Sequence, residues 1–300
     1  MGGGAWTSSA FCAYSTSVGR SVDSSGTVTT SYRSAQDMYT ERSLSKSMDP
    51  LSFDVRECRD SDEHPATVPV ILALDVTGSM GDSAMKVAKE LNKIVGGISQ
   101  KEKDAEFCVM AIGDTYCDRA PVQMSQFESD VRIAEAFDKI YFEGGGGSNA
   151  WESYTAAWYM AAYRTDLDAW KRGGKGILIT LGDEPINPYL DMDDLVDFVG
   201  RDRAPQGKKK LDTKELYDVV SKKYDVYHIF VDHHRSGDYD SIKERAIKSF
   251  REVLPDQHVV CCKVDDLADV ITDIVLRAPH ESVSEPITST KVDENGCIDW

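Results

Sequence analysis

The chain has 300 residues, of which 41% are hydrophobic, and it carries a formal net charge of −17. This length and composition suffice for a sizeable core in one or two domains. The acidic balance argues against nucleic acid and against an anionic membrane surface as partners, because both require a basic face. No apolar run reaches the ~20 residues that a membrane-spanning helix needs, so no membrane segment is predicted.

Residues 1–66 form an extension rich in Ser, Thr and Gly, without a long helical or alternating pattern. Such a composition predicts an irregular segment that is partly mobile. Its large apolar residues, among them Trp6, Phe11 and Tyr39, are nevertheless too many for a solvated tail. We therefore expect part of this extension to lie against the main domain or against a partner.

Residues 67–279 alternate between strand-like and helix-like patterns, and residues 280–300 are expected to be a polar tail. Near-continuous apolar runs, typical of strands buried on both faces, occupy 68–75, 106–113, 175–182, 225–232 and 257–264. Helical patterns occupy 82–98, 127–140, 150–164, 213–223, 239–253 and 266–277. A short run at 119–125 contains Pro121 and predicts an edge strand. This alternation predicts an α/β fold with a doubly wound, mostly parallel sheet and helices on both faces.

Three polar segments are expected at the carboxyl ends of the parallel sheet, where open α/β sheets bind ligands. The first is "DVTGSMG", in which Asp75, Thr77 and Ser79 project to the same side because side chains alternate along an extended backbone. The second is the glycine-rich loop "FEGGGGSNAW" with Ser148, and the third is "LITLGDEP" with Asp183. Carboxylates and hydroxyls suit a hard cation such as Mg²⁺. We expect such an ion to keep an open position for an incoming carboxylate oxygen.

The stretch "DVTGSM" resembles the D-x-[ST]-x-S motif of von Willebrand factor type A (vWA) domains, which form a metal-ion-dependent adhesion site. Ser148 and Asp183 match the hydroxyl and the acid that this family places in its second and third loops. The resemblance covers residues 67–279 and implies a Rossmann-like vWA fold. It also implies that Asp75, Thr77, Ser79, Ser148 and Asp183 surround Mg²⁺ or Mn²⁺, and that Asp183 often acts through water.

Residues near these loops also have plainer interpretations. Asn149 and Glu152 fit an N-x-x-E capping box, so Glu152 is left outside the site. The four glycines of the second loop resemble a phosphate cradle, but no Gly-Lys-Ser/Thr follows them. A core stripe is predicted for Trp151, Tyr154, Trp158 and Ala161. Ordinary turns or loops are predicted for Asp114, Asp118, Asp232, His233 and His234.

The cysteines and the N-terminus predict a cytoplasmic protein. Seven cysteines form an odd set without a CxxC pair, which favours reduced thiols over a zinc site. The first residues, "MGGGAWTSS", lack the basic and apolar regions of a secretion signal. The vWA resemblance itself points to the bacterial intracellular members, which commonly work beside AAA+ ATPases of the MoxR type.

Three functions stay open, and the first is expected. It is a metal-dependent protein-binding module, not an enzyme, that engages an Asp or Glu of a partner and acts as adaptor of an AAA+ ATPase. The insertion-like segment 191–211 would then add specificity beside the site. The second is a structural component that donates the N-terminal arm to a neighbour. The third is a metal-dependent phosphohydrolase, which needs a second acid where this chain has Thr77.

Overall fold

The computed structural model describes residues 4–145, 151–205, 207–233, 239–278, 291–292 and 298–299. The strands are β1 Arg56–Cys58, β2 Val68–Asp75, β3 Ala105–Ile112, β4 Val122–Met124, β5 Thr165–Leu167, β6 Gly176–Gly182, β7 Tyr189–Asp191, β8 Lys210–Asp212, β9 Tyr224–Asp232, β10 Val259–Lys263, β11 Lys291–Val292 and β12 Ile298–Asp299. The helices are α1 Ser8–Ser17, α2 Ala35–Met38, α3 Gly81–Lys89, α4 Leu91–Ser99, α5 Arg132–Asp138, α6 Tyr154–Tyr163, α7 Asp168–Lys171, α8 Met192–Val199, α9 Thr213–Val220, α10 Tyr239–Arg251 and α11 Leu267–Arg277.

The central sheet has six strands in the order β10-β9-β6-β2-β3-β4. Its first five strands run parallel, whereas β4 pairs antiparallel with β3 at the edge, as predicted from Pro121. The chain leaves β2 for β3 on one side and later returns to β6 on the other side of β2. This reversal confirms the doubly wound fold and creates a topological switch point between β2 and β6, where open α/β sheets bind ligands.

Helices cover both faces of this sheet. Along β2, Val70, Leu72 and Leu74 belong to one buried cluster, whereas Ile71 and Ala73 belong to a cluster on the opposite face. The first cluster includes apolar residues of α3, α4 and α11, and the second includes residues of α6, α9 and α10. Full burial of each large aliphatic side chain is worth about 1.5–3 kcal/mol, which explains why β2 needs an uninterrupted apolar run.

One predicted helix is interrupted and several others are shortened. The pattern at 82–98 forms α3 and α4, which are separated at Glu90, where the backbone leaves helical geometry at φ −98° and ψ 14°. The pattern at 127–140 forms only α5, because Glu128 instead makes an isolated bridge with Phe107 next to the sheet. The second change depends on a contact with the sheet rather than on local periodicity.

The N-terminal extension lies against the domain of its own chain and contains the helix α1, which was not predicted. Trp6 and Phe11 are buried in the cluster that also contains Leu72 of β2. The Trp6 indole nitrogen donates to Asn92 Oδ1 of α4 at 3.1 Å. The Tyr39 hydroxyl likewise donates to the carbonyl of Ala84 in α3. These contacts hold the extension on the face formed by α3 and α4.

The cysteines follow the expectation of reduced thiols only in part. Free thiols are found at Cys12, Cys58, Cys108, Cys117 and Cys262. Cys261 is disulfide-bonded, so the expectation is wrong for that residue. Across the described part of the chain, no helix combines the length and apolar character needed to cross a membrane.

Candidate metal centre

The candidate site lies at the switch point, where β2 ends at Asp75 and β6 ends one residue before Asp183. After Asp75, a 3-10 turn over Gly78–Met80 leads into α3. The Gly78 amide donates to the Gly145 carbonyl at 2.8 Å, and a Cβ at position 78 would lie 3.3 Å from the Gly144 carbonyl. The first loop and the start of the glycine-rich loop are therefore in direct contact.

The Asp75 carboxylate is buried and fully hydrogen-bonded to neutral groups. Its Oδ1 accepts from the Thr77 amide at 2.8 Å and from Thr77 Oγ1 at 2.6 Å. Its Oδ2 accepts from the Tyr154 hydroxyl at 2.8 Å. These bonds orient both carboxylate oxygens, but none of them brings a positive charge.

A continuous chain of oxygens joins Asp75 to Asp183. Thr77 Oγ1 lies 3.5 Å from Ser79 Oγ, and Ser79 Oγ donates to Asp183 Oδ1 at 2.8 Å. Asp183 is buried as well. The structure thus brings together Asp75, Thr77, Ser79 and Asp183, whereas Ser148 lies outside the described residues.

The two carboxylates of the site carry negative charge that no described Lys or Arg neutralises. Burial, reinforced by the charge of Asp183, raises the pKa of Asp75 to about 7, although hydrogen bonds from Thr77 and Tyr154 act in the opposite direction. Within the residues that the structure describes, the ion pairs include no Lys or Arg for Asp75 or Asp183. The His233 Nε2 atom lies 3.8 Å from Asp183 Oδ2.

Glu152 is a second buried acid beside this site. Burial raises its pKa to about 10, and the charges of Asp75 and Asp114 add to the effect. Its Oε2 atom is buried without a hydrogen-bond partner. A capping role for Glu152 is wrong, because α6 begins only at Tyr154 and Glu152 instead forms a bridge with Ile186.

Tyr154 contributes to the site as well as to the core. Its ring passes directly over Gly182, where a Cβ would lie 1.8 Å from the tyrosine hydroxyl. The absence of a side chain at position 182 therefore allows the hydroxyl to reach Asp75. The core stripe is correct for Tyr154, Trp158 and Ala161, which are buried. The sequence could have indicated that Tyr154 contacts a polar group, because a buried tyrosine hydroxyl normally has a polar partner.

Three further predictions near the site have different outcomes. Trp151 is 44% exposed, so its assignment to the core stripe is wrong. His233, predicted in an ordinary loop, lies beside Asp183. Asp114 and Asp118 act as turn acids, as predicted: Asp114 Oδ1 accepts from the Tyr116 amide and Asp118 Oδ2 accepts from the Asp114 amide.

The donor set fits a hard divalent cation. The described residues contain no group of three or more His, Cys, Asp and Glu side chains that could hold a metal. The candidate set instead consists of two carboxylates and two hydroxyls, all oxygen donors of the kind that Mg²⁺ and Mn²⁺ prefer. A cation between Asp75 and Asp183 would offset both the burial and the charge repulsion that raise the pKa of Asp75.

Comparison with known proteins finds similarity among solved structures only. No protein-family model and no curated protein sequence matches the chain. The open conformation of the pilus adhesin SpaC from Lactobacillus rhamnosus GG is 13% identical at a TM-score of 0.47, over 73% of this chain and 31% of the adhesin. Crystal form 2 of proximal thread matrix protein 1 from the mussel byssus is 9% identical at 0.45, over 70% of this chain and 47% of that protein.

A third similar structure is the vWF domain of the type V pili tip protein Mfa5 from Porphyromonas gingivalis. It is 9% identical at a TM-score of 0.44, over 74% of this chain and 98% of that domain. The chain therefore spans about a third of SpaC, about half of the mussel protein and nearly all of the Mfa5 domain.

Proposed function

We propose that this chain is a metal-dependent protein-binding module. In this proposal, Asp75, Thr77, Ser79 and Asp183 hold Mg²⁺ or Mn²⁺, and an Asp or Glu of a partner protein completes the coordination of the ion. The observation that carries the proposal is the pair of buried carboxylates at the switch point, joined through the Ser79 hydroxyl. Their described partners are neutral hydroxyl and amide groups and a histidine. Binding of an external cation would therefore be favourable, because it would neutralise buried negative charge.

Each residue of the site has a distinct role in this proposal. Thr77 and Tyr154 orient the Asp75 carboxylate, while Ser79 positions Asp183. The bound cation would supply a positive centre that attracts a carboxylate of the partner. Such a desolvated charge pair near the middle of an interface is where binding energy tends to concentrate. Ser148 stays a predicted ligand from the second loop.

Two finer expectations stay predictions. An AAA+ ATPase of the MoxR type as partner follows from the vWA resemblance alone. The cysteine pattern and the N-terminus predict a cytoplasmic location, and the disulfide at Cys261 weighs against it because disulfides are typical of oxidising compartments.

The alternatives receive less support from the geometry. Donation of the N-terminal arm to a neighbour would expose Trp6 and Phe11, which are buried in the core of their own chain. A phosphohydrolase would need a second acid at position 77, where the Thr77 hydroxyl donates to Asp75. That the chain is not an enzyme stays a prediction, and an assay of phosphate release from a generic ester tests it.

The decisive experiment is calorimetric titration of the full chain with Mg²⁺ and with Mn²⁺. We expect binding to the wild type and none to Asp75→Asn, which removes a charge but keeps the shape of the side chain. Asp82→Asn is the matched control, since Asp82 is an exposed acid in the first turn of α3. Circular dichroism establishes that each variant is folded. Failure of the wild type to bind either ion, or equal binding by Asp75→Asn, would contradict the proposal.

The role of the partner is tested separately. Proteins captured by the wild type in Mg²⁺ should be lost both in chelator and with Asp75→Asn. For a partner identified in this way, replacement of its contacting Asp or Glu by the corresponding amide should lower affinity at least about 100-fold, in line with the loss of one member of a buried charge pair. Capture that survives chelation would contradict a metal-dependent interaction.

A further inference from the structure

A cavity of about 430 Å³ opens beside the candidate metal centre. Its lining comes from the turn after β3, the segment that precedes α6, and the insertion that contains β7 and α8. This size is typical of a site for a small molecule or a single large side chain. The cavity and the metal centre share the segment 151–154, so one partner could contact both.

The walls of the cavity combine aromatic rings with carboxylates. Tyr116, Trp151 and Tyr189 line it and are 73%, 44% and 39% exposed, which is unusual for large rings. The acids that line it are Asp114, Asp191, Asp193 and Asp194. Lys and Arg are absent from the described residues of the lining. Exposed rings beside acids form an environment for a positively charged group.

The acids at the start of α8 bring negative charge into the cavity wall. Asp191 accepts a hydrogen bond from the Asp193 amide at the start of α8, and this bond brings no positive charge. Burial, together with the charges of Asp191 and Asp114, raises the pKa of Asp194. In the described structure, neither Asp193 nor Asp194 belongs to an ion pair. A cation in the cavity would therefore relieve repulsion among these acids.

The chain already places a lysine on one of these rings. Lys210 of β8 holds its Nζ atom 3.4 Å from the centre of the Tyr189 ring, a cation–π geometry. Tyr189 is thus occupied on one face by a residue of the chain itself. Tyr116 and Trp151 are the rings on which an incoming cation would rest, in the same cavity as the acids at the start of α8.

We infer that this cavity binds a lysine or arginine side chain of the protein partner. This inference rests on the proposed function and deepens it: the partner would offer an acid to the metal and a base to the neighbouring cavity. The carboxylates disfavour an apolar or acidic occupant, and the rings favour an ammonium or guanidinium over a small hydrated ion. Recognition of two opposite charges would make the interface specific for a sequence that carries both.

The test uses a pentalysine peptide blocked at both ends and the full chain in chelator, where the metal centre does not contribute. Calorimetry measures the Kd of the wild type and of three variants. We expect Asp193→Asn/Asp194→Asn to raise the Kd at least about tenfold and Tyr116→Ala to raise it about threefold. The control, Asp62→Asn/Asp218→Asn, removes the same charge from two acids outside the cavity and should change the Kd less than twofold.

Two results would overturn the inference. One is absence of pentalysine binding to the wild type, and the other is an equal loss in the control, which would indicate general attraction to an acidic protein. Titration of Asp193→Asn/Asp194→Asn with Mg²⁺ separates this inference from the proposed function. If Asp193→Asn/Asp194→Asn binds Mg²⁺ and pentalysine as tightly as the wild type does, the cavity inference is refuted and the metal centre is not. If the wild type binds pentalysine but no metal, the metal centre is refuted and the cavity inference is not.

Discussion

Two clusters of acidic residues in this molecule differ in whether basic residues of the chain neutralise them. Around the small parallel sheet of β1 and β5, Arg59 forms ion pairs with Glu57, Asp166 and Asp168. A hydrogen bond from Lys171, with further bonds from the Asp60 amide and Arg59, holds the pKa of Asp168 down at about 2 although burial acts in the opposite direction. Here the chain supplies its own cations, and the acids are stable as carboxylates.

At the candidate metal centre the same kind of side chain has no such compensation. Burial raises the pKa of Asp75 to about 7 and that of Glu152 to about 10. The comparison shows that this chain can pair acids with bases where they serve the fold. The lack of a described Lys or Arg partner at the switch point is therefore a local property of the site, as expected where a cation from outside is to bind.

The largest effect is expected from Gly182→Ala. The new methyl group would overlap the Tyr154 ring and displace the hydroxyl from Asp75. We expect a loss of about 3 kcal/mol in the free energy of unfolding, measured by urea denaturation, together with weaker Mg²⁺ binding. Gly97→Ala in α4 is the control, because its Cβ would lie 3.7 Å from Thr272 and should cost nothing. If both variants are equally stable, the position of the Tyr154 hydroxyl does not depend on the missing side chain at Gly182.

Per unit of pH, a smaller effect on stability is expected from titration in the presence of chelator. The raised pKa means that folded Asp75 keeps a proton that the unfolded chain releases above pH 3.8. The stabilisation of the folded state by this proton is therefore fully present below pH 3.8 and is lost as the pH rises to about 7. Over this range the free energy of unfolding falls by at most about 1.4 kcal/mol per pH unit. Thermal or urea unfolding of wild type and Asp75→Asn measures this contribution as their difference. Parallel curves between pH 4 and 7 would contradict the raised pKa.

The smallest effect is expected from Arg59→Met, which removes the cation of the paired cluster. Because these side chains are partly exposed and screened, we expect a loss of about 1 kcal/mol at low salt that shrinks at 1 M NaCl. Arg33→Met is the control, since its ion pair with Asp37 is almost fully exposed on the arginine side and should contribute little. In chelator, Asp75→Asn should instead raise stability at neutral pH. If Arg59→Met and Asp75→Asn change the free energy of unfolding in the same direction, the two clusters do not differ as described.

The segment around Trp151 shows where sequence reasoning fails. The spacing of Trp151, Tyr154 and Trp158 predicts one continuous helical stripe, and it is correct only from Tyr154 onward. Before that point, the Glu152 amide donates to the Pro185 carbonyl, and Glu152 bridges Ile186. This contact with the loop after β6 holds the backbone out of the helix and leaves Trp151 in the cavity wall. Periodicity has no information about such a partner.

The sequence by itself determined the long strands, the doubly wound order of β and α units and the four oxygen donors that meet at the switch point. These follow from local patterns, because apolar runs specify buried strands and polar residues directly after them must lie at the carboxyl edge of the sheet. Only the tertiary structure decided that Tyr154 donates to Asp75, that His233 approaches Asp183, and that rings and acids from three separate segments enclose one cavity. Those contacts join residues up to about 80 positions apart, and they exist because packing and strand order bring loops together that no short-range pattern relates.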